Sequence, residues 1–237
     1  MCGRRAAARA CYNSPPMDST VIQTIAVYAI PVLFAITVPA VARGYVARYH
    51  GDNTAFLAGR LSFNPLRHID PVGTVLMPLM LYLLTSGSMV FGYSKPVPVD
   101  FQALRNPRWH GLQTALAAPA ASFVMAFAWG VASLCLAATG VEERFFTGMA
   151  LAGLRVNLAM AALALVPVPP LDGGRVLAAI LPQRFAPVFA RVEAYGFYIV
   201  MALIITGVLT QLWMRPVVTA LAHVLLAMLS PLKAVLS

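Results

Sequence analysis

Asp172 is the residue through which the chemistry of this chain is most readily approached. It closes the run Pro167-Val168-Pro169-Pro170-Leu171-Asp172-Gly173-Gly174, which follows an apolar stretch long enough to cross a bilayer. A lone carboxylate at membrane depth costs about 2.5–3.5 kcal/mol on insertion, so it is normally paired or functional. The two glycines allow the backbone to turn tightly beside it. Asp172 is also placed to cap a short helix beginning at Gly173-Gly174-Arg175-Val176-Leu177. The only histidines are His50, His68, His110 and His223. His68 stands beside Asp70 in a polar run, where it either orders the loop near Pro71 or swings toward a site. His110 reads as an interfacial loop residue and His223 as a helix residue. Cys2, Cys11 and Cys135 have no metal or redox spacing, and Cys135 is expected to pack as a small apolar residue.

The polar run that holds His68 is Asn64-Pro65-Leu66-Arg67-His68-Ile69-Asp70-Pro71-Val72-Gly73-Thr74. Together with the Pro-rich Leu-Asp-Gly-Gly segment it resembles the site-2 protease family of intramembrane zinc metalloproteases, over about Ala26 to Val176. The resemblance implies that Asp172 stands at the third zinc-ligand position. It implies cleft or structural roles for Asn64, Pro65, His68, Asp70, Asn157, Pro169, Pro170, Gly173 and Gly174. It also implies an upstream helix with His-Glu-x-x-His, which supplies two ligands and a general base on one helix face. Here that stretch reads Pro39-Ala40-Val41-Ala42-Arg43, running into Gly44-Tyr45-Val46-Ala47, which fits the family again.

The departures fall on the chemistry. Pro39 offers no ligand, Ala40 takes no proton, and the cation of Arg43 repels Zn²⁺. The family's amide before Leu-Asp-Gly falls at Ala164. Its Ala-Gly-Pro-x-x-Asn helix reads Ala117-Ala118-Pro119-Ala120-Ala121-Ser122, while Asn157 is kept. The glycines and prolines of the frame stand. This pattern predicts a catalytically inactive homologue, degenerate at Pro39, Ala40, Arg43 and Ala164, with no cofactor where active relatives hold zinc. Without the metal, Asp172 becomes an unpaired buried charge. Either Arg43 pairs with it, directly or through one water, or Arg43 snorkels to the headgroups and Asp172 caps its helix.

The elements that must position these residues are set by composition. The chain is 60% hydrophobic and 11% charged, with a mean hydropathy of +0.78, which excludes an ordinary soluble domain. A hydrocarbon core of about 30 Å needs roughly 20 apolar residues per helix. Segments 19–42, 113–139, 147–168 and 194–214 meet this length, 72–93 does so with Pro78 and Gly87 inside it, and 217–230 is short. The predicted architecture is an all-α integral membrane protein, a site-2-protease-like helical bundle. Residues 18–237 form one polytopic domain after an N-terminal tail over 1–17, and Met17 is an alternative start. Partial alternation over 54–63, between Gly51-Asp52-Asn53 and Asn64-Pro65, predicts a short membrane-associated β-hairpin.

The formal net charge of +9 lies in short loops between apolar spans, which is positive-inside bias and not a nucleic-acid surface. Loops 43–71, 94–112 and 175–191 are basic, whereas 140–146 carries Glu142, Glu143 and Arg144. If 72–93 re-enters, all three basic loops are cytoplasmic; if it crosses, the first two lie on opposite faces. The expected setting is a bacterial inner membrane. The expected partners are lipid and transmembrane segments of other proteins bound in the old substrate cleft, with no nucleic acid. The enzyme alternative is an active metalloendopeptidase with non-standard ligands. A small transporter or channel is more remote, since neither pore-lining polar residues nor inverted repeats are evident.

Overall fold

The computed structural model describes residues 17–68, 70–76, 80, 97–141, 143–182 and 186–236. Helix α1 spans Met17–Tyr49, the single turn α2 Thr54–Leu57, α3 Pro107–Ala138 and α4 Arg144–Ala164. They are followed by α5 at Asp172–Ile180, α6 at Ala186–Ile205 and α7 at Arg215–Leu236. Gln23–Tyr49, Pro107–Ala138, Arg144–Ala164 and Leu209–Ala234 are each long and apolar enough to cross a bilayer. Ile25, Phe34, Val124, Leu151 and Leu226 point outward from them. Helices satisfy their own backbone, so such apolar faces can meet hydrocarbon without cost. The chain is an integral membrane protein.

Helix α3 is central, packing against α1, α4, α5 and α7, while α4 also meets α1 and α7. Small residues permit these approaches: Ala115, Ala118 and Ala126 on α3, and Ala150, Ala152, Ala161 and Ala162 on α4, are all buried. At Gly153 an added Cβ would lie 2.4 Å from the Trp129 ring, and at Gly130 2.6 Å from Leu229. Ala126, Leu158, Leu225 and Leu229 form the apolar core, with Phe123 and Leu154 packed on it.

One end of the bundle is organised by polar contacts. Asp52, fully buried, accepts from the Thr54 N–H at 2.8 Å and from the Asp100 N–H at 2.9 Å. The Arg105 N–H donates to the His50 carbonyl at 3.1 Å, and the His50 and His110 rings stack at 4.1 Å. Arg108 donates to the carbonyls of Ala179 and Ile180 at 2.8 and 3.2 Å, placing a cation at the negative end of α5. The end of α1, the start of α3 and the end of α5 therefore share one face. The question of 72–93 itself falls largely outside the described residues.

Two expectations are corrected. No strand occurs among the described residues, and the β-hairpin predicted over 54–63 is a helical turn followed by irregular chain. The Asp52 carboxylate caps Thr54, Leu57 and Ala58 bond back to Asn53 and Thr54, and Gly59 at φ +64° reverses the chain. Ala55 and Leu61 both rest on Gly44 of α1, so a helix takes the place of a partner strand. The span predicted over 194–214 is also divided. Gly207, at φ +72°, ends α6 in the left-handed conformation favoured by glycine. The candidate span begins after it, through a π-helical stretch Leu209–Met214 that leads directly into α7. There the Arg215 N–H reaches five residues back to Thr210, so the ladder is already re-registered when Pro216 enters the helix.

Gly153→Ala forces a methyl into the Trp129 indole and should lower stability by about 1–3 kcal/mol. Gly148→Ala, whose Cβ would sit an ordinary 3.5 Å from Val27, should change it by less than about 0.5 kcal/mol. Thermal-unfolding midpoints of the two variants in detergent provide the comparison, and equal midpoints would contradict the packing argument.

Candidate functional site

The site is built on the turn that leaves α4. The helix ends at Ala164, and residues 165–171 cross to α5 without regular structure, with a cis Pro169–Pro170 peptide. Three glycines hold this turn. A Cβ on Gly173 would lie 2.1 Å from the Leu165 carbonyl oxygen, one on Gly174 2.4 Å from the Pro169 nitrogen, and one on Gly196 of α6 1.9 Å from the Pro169 oxygen. Backbone lies directly against backbone at each point, and no flexible side chain is available to give way. The backbones of α5 and α6 therefore clamp the proline turn and fix where α5 begins.

Asp172 is the first residue of α5 and is 5% exposed. The N-cap residue Leu171 makes no side-chain capping bond. The carboxylate lies in the first turn, where the helix dipole favours an anion. Arg43 of α1 donates through Nη2 to Asp172 Oδ2, with the two side chains 26% and 6% exposed. Arg43 Nε is buried without a partner among the described residues. Pro39, buried, lies four residues before Arg43 and so on the same helix face, and half-buried Ala40 follows it. The three degenerate positions of α1 thus belong to the helix that the ion pair ties to α5.

The other residues singled out in the sequence separate into groups. Asn157, wholly buried on α4, donates from Nδ2 to the Gly153 carbonyl of its own helix at 2.8 Å, and its Oδ1 has no partner among the described residues. His68 is buried with Nε2 2.8 Å from the Ser62 carbonyl oxygen, where it orders its own loop. Asn64 Oδ1 accepts from the Leu66 N–H at 3.0 Å, and Asp70 Oδ1 accepts from Val72 and Gly73 at 2.9 and 3.0 Å. Both are turn-forming contacts. Pro65 has a different position, against α1. With α1 it lines two apolar grooves of about 380 and 170 Å³, which share Leu33 and Thr37.

Asp52, Arg108 and Gly196 were not singled out by sequence reasoning. Asp52-Asn53-Thr54 carried a readable capping signal. Nothing local marked Gly196 or Arg108, whose partners lie on other elements.

These residues do not fit a zinc ion. A catalytic zinc site needs three protein ligands and an open position. The Asp172 carboxylate is engaged by a guanidinium, Pro39 and Ala40 have no donor atoms, and no group of three His, Cys, Asp or Glu comes together among the described residues.

The bundle and its proline turn define a helical membrane-embedded protein, and comparison with known proteins supplies the family. Residues 137–207, which include Asn157, Asp172 and the three clamping glycines, match the family model Peptidase family M50. The chain is 31% identical over 187 residues to "Putative zinc metalloprotease YwhC" of Bacillus subtilis (strain 168), covering 75% of this chain and 79% of that protein. No solved structure matches. The chain belongs to peptidase family M50, the site-2 protease family.

Removing one partner of a buried ion pair leaves the other charge uncompensated. Arg43→Ala should therefore destabilise the protein by about 3 kcal/mol. In a double-mutant cycle, Arg43→Met combined with Asp172→Asn should recover at least about 1 kcal/mol of the summed single effects. Strictly additive unfolding free energies would show that the pair does not couple α1 to α5.

Proposed function

We propose that this chain is a non-catalytic member of the site-2 protease family that binds membrane-spanning segments of other proteins. The observation that carries the reading is the Arg43–Asp172 pair. At the position where the family has its second ligand histidine, a permanent cation engages the carboxylate retained from the ligand set. A guanidinium meets the electrostatic need of Asp172 and brings α1 to α5, as a metal would. It supplies neither an open coordination position nor an activated water, and Ala40 cannot act as a base.

The apolar grooves along α1 support the binding half of the reading. Ile25, Val32 and Ile36 with Pro65 form a surface suited to an apolar helix, and small residues elsewhere on the bundle permit close packing. The basic ends of the bundle lie on one face, so the positive-inside rule makes that face cytoplasmic, in a bacterial inner membrane. Lipid fills the remaining apolar surface.

The purified protein should carry well under one zinc per chain and cleave no transmembrane reporter. Restoring Pro39→His, Ala40→Glu and Arg43→His together should raise zinc content measurably. Photocrosslinkers at Ile25 and Ile36 should capture membrane-protein partners, whereas one at Val124, 63% exposed on α3, should not. Stoichiometric zinc that disappears in Asp172→Ala, together with chelator-sensitive cleavage by the unaltered chain, would overturn the proposal.

A further inference from the structure

On the basic face, a cavity of about 410 Å³ lies between the start of α3, the C-terminal half of α5 and α6. Phe101, Arg108, Gly111, Arg175, Phe189 and Glu193 set its character. Neither Arg43 nor Asp172 lines it, although Arg175 lies near enough to Asp172 to act on its charge. We infer that this cavity binds a phosphate-bearing anion, and that its position favours the headgroup of an anionic phospholipid as the source.

The two guanidinium groups are held in different ways. Arg108 is anchored: Nε and Nη2 donate to Ala179 and Ile180, leaving Nη1 without a partner among the described residues. Arg175 is oriented by Phe101, with its guanidinium carbon 4.4 Å from the ring centroid. The same ring meets Gly111, where an added Cβ would lie 3.4 Å from Phe101 Cδ1. Arg175 also pairs with Glu193 at 3.0 Å, but those side chains are 36% and 49% exposed. Ion pairs so open to solvent contribute little, so an incoming anion can displace the carboxylate.

Charge and depth select the ligand. Two cations against one carboxylate leave a net charge of about +1, the complement of a phosphodiester, and guanidinium groups match phosphate oxygens bidentately. The cavity opens where the candidate span of α3 begins at Pro107, beside Trp109, which is 63% exposed in the manner of an interfacial anchor. Basic pockets between helices at this depth recognise anionic headgroups. Phe101 and Phe189 provide apolar walls for the glycerol and upper acyl carbons.

The test uses the full chain in neutral detergent, titrated with dihexanoyl phosphatidylglycerol, dihexanoyl phosphatidylcholine or inorganic phosphate and read by thermophoresis. The glycerol lipid should bind saturably and at least about tenfold more tightly than the choline lipid, as one added charge-assisted contact implies. Arg175→Gln should weaken that binding about tenfold, and Glu193→Gln should tighten it. Both variants break the same ion pair, so a purely structural role would move them in one direction. Opposite directions therefore support the site even if one variant folds poorly. If inorganic phosphate binds as tightly as the glycerol lipid with the same opposed pattern, the anion is a soluble phosphate and the chemistry stands. Parallel effects of the two variants, or equal binding of both lipids without phosphate binding, would overturn the inference.

Discussion

The charge of Asp172 constrains the structure around it. A carboxylate that is 5% exposed is stabilised as an anion only where a counter-charge reaches it. The backbone holds it there without alternative, because Gly173, Gly174 and Gly196 press the proline turn between α5 and α6 with no room for a side chain. Arg43 then satisfies the charge from 129 residues away in the chain. The ion pair thus ties α1, already packed on α3 and α4, to the start of α5.

On the proposed reading, a guanidinium standing where the family has a metal ligand separates two roles that a ligand set normally combines. A divalent ion closes the site and also activates water. An arginine in its place would close the site through fixed directional donors but would leave no position for a nucleophile. This accounts for which features persist. The glycines and prolines make contacts of backbone against backbone, and those are needed whether or not a metal is bound. His-Glu-x-x-His serves only the metal and the water, and its positions hold Pro39, Ala40 and Arg43. Asn157 is intermediate: it remains buried and half-satisfied through its own helix, with one oxygen unpartnered among the described residues.

The basic face illustrates how local charge becomes tertiary organisation. Taken singly, Arg105, Arg108 and Arg175 are consistent with topological bias. In the fold, Arg108 closes the end of α5, Arg175 lies across Phe101, and the Arg105 backbone joins the α1 terminus to α3. Asp52 links the same two loops by accepting from both. Through these contacts α5, which carries Asp172 at one end, is anchored at the other.

By itself the sequence determined the membrane setting, three of the four candidate spans and the family. Apolar length and the Pro-Pro-Leu-Asp-Gly-Gly order are properties of contiguous residues, and hydropathy is local. Tertiary structure decided what contiguous reading could not. Residues 54–63 alternate as a strand would, yet Gly44 of α1 offers Ala55 and Leu61 a helix to pack on and Asp52 caps a helical turn. The apolar run through 194–214 is continuous in composition, but the positive φ of Gly207 and the π stretch after it move the crossing helix to Leu209–Ala234. Gly196 looks like any helical glycine until Pro169 is placed against it. In each case the deciding partner lies on another element, and its free energy exists only once the chain has brought the two together.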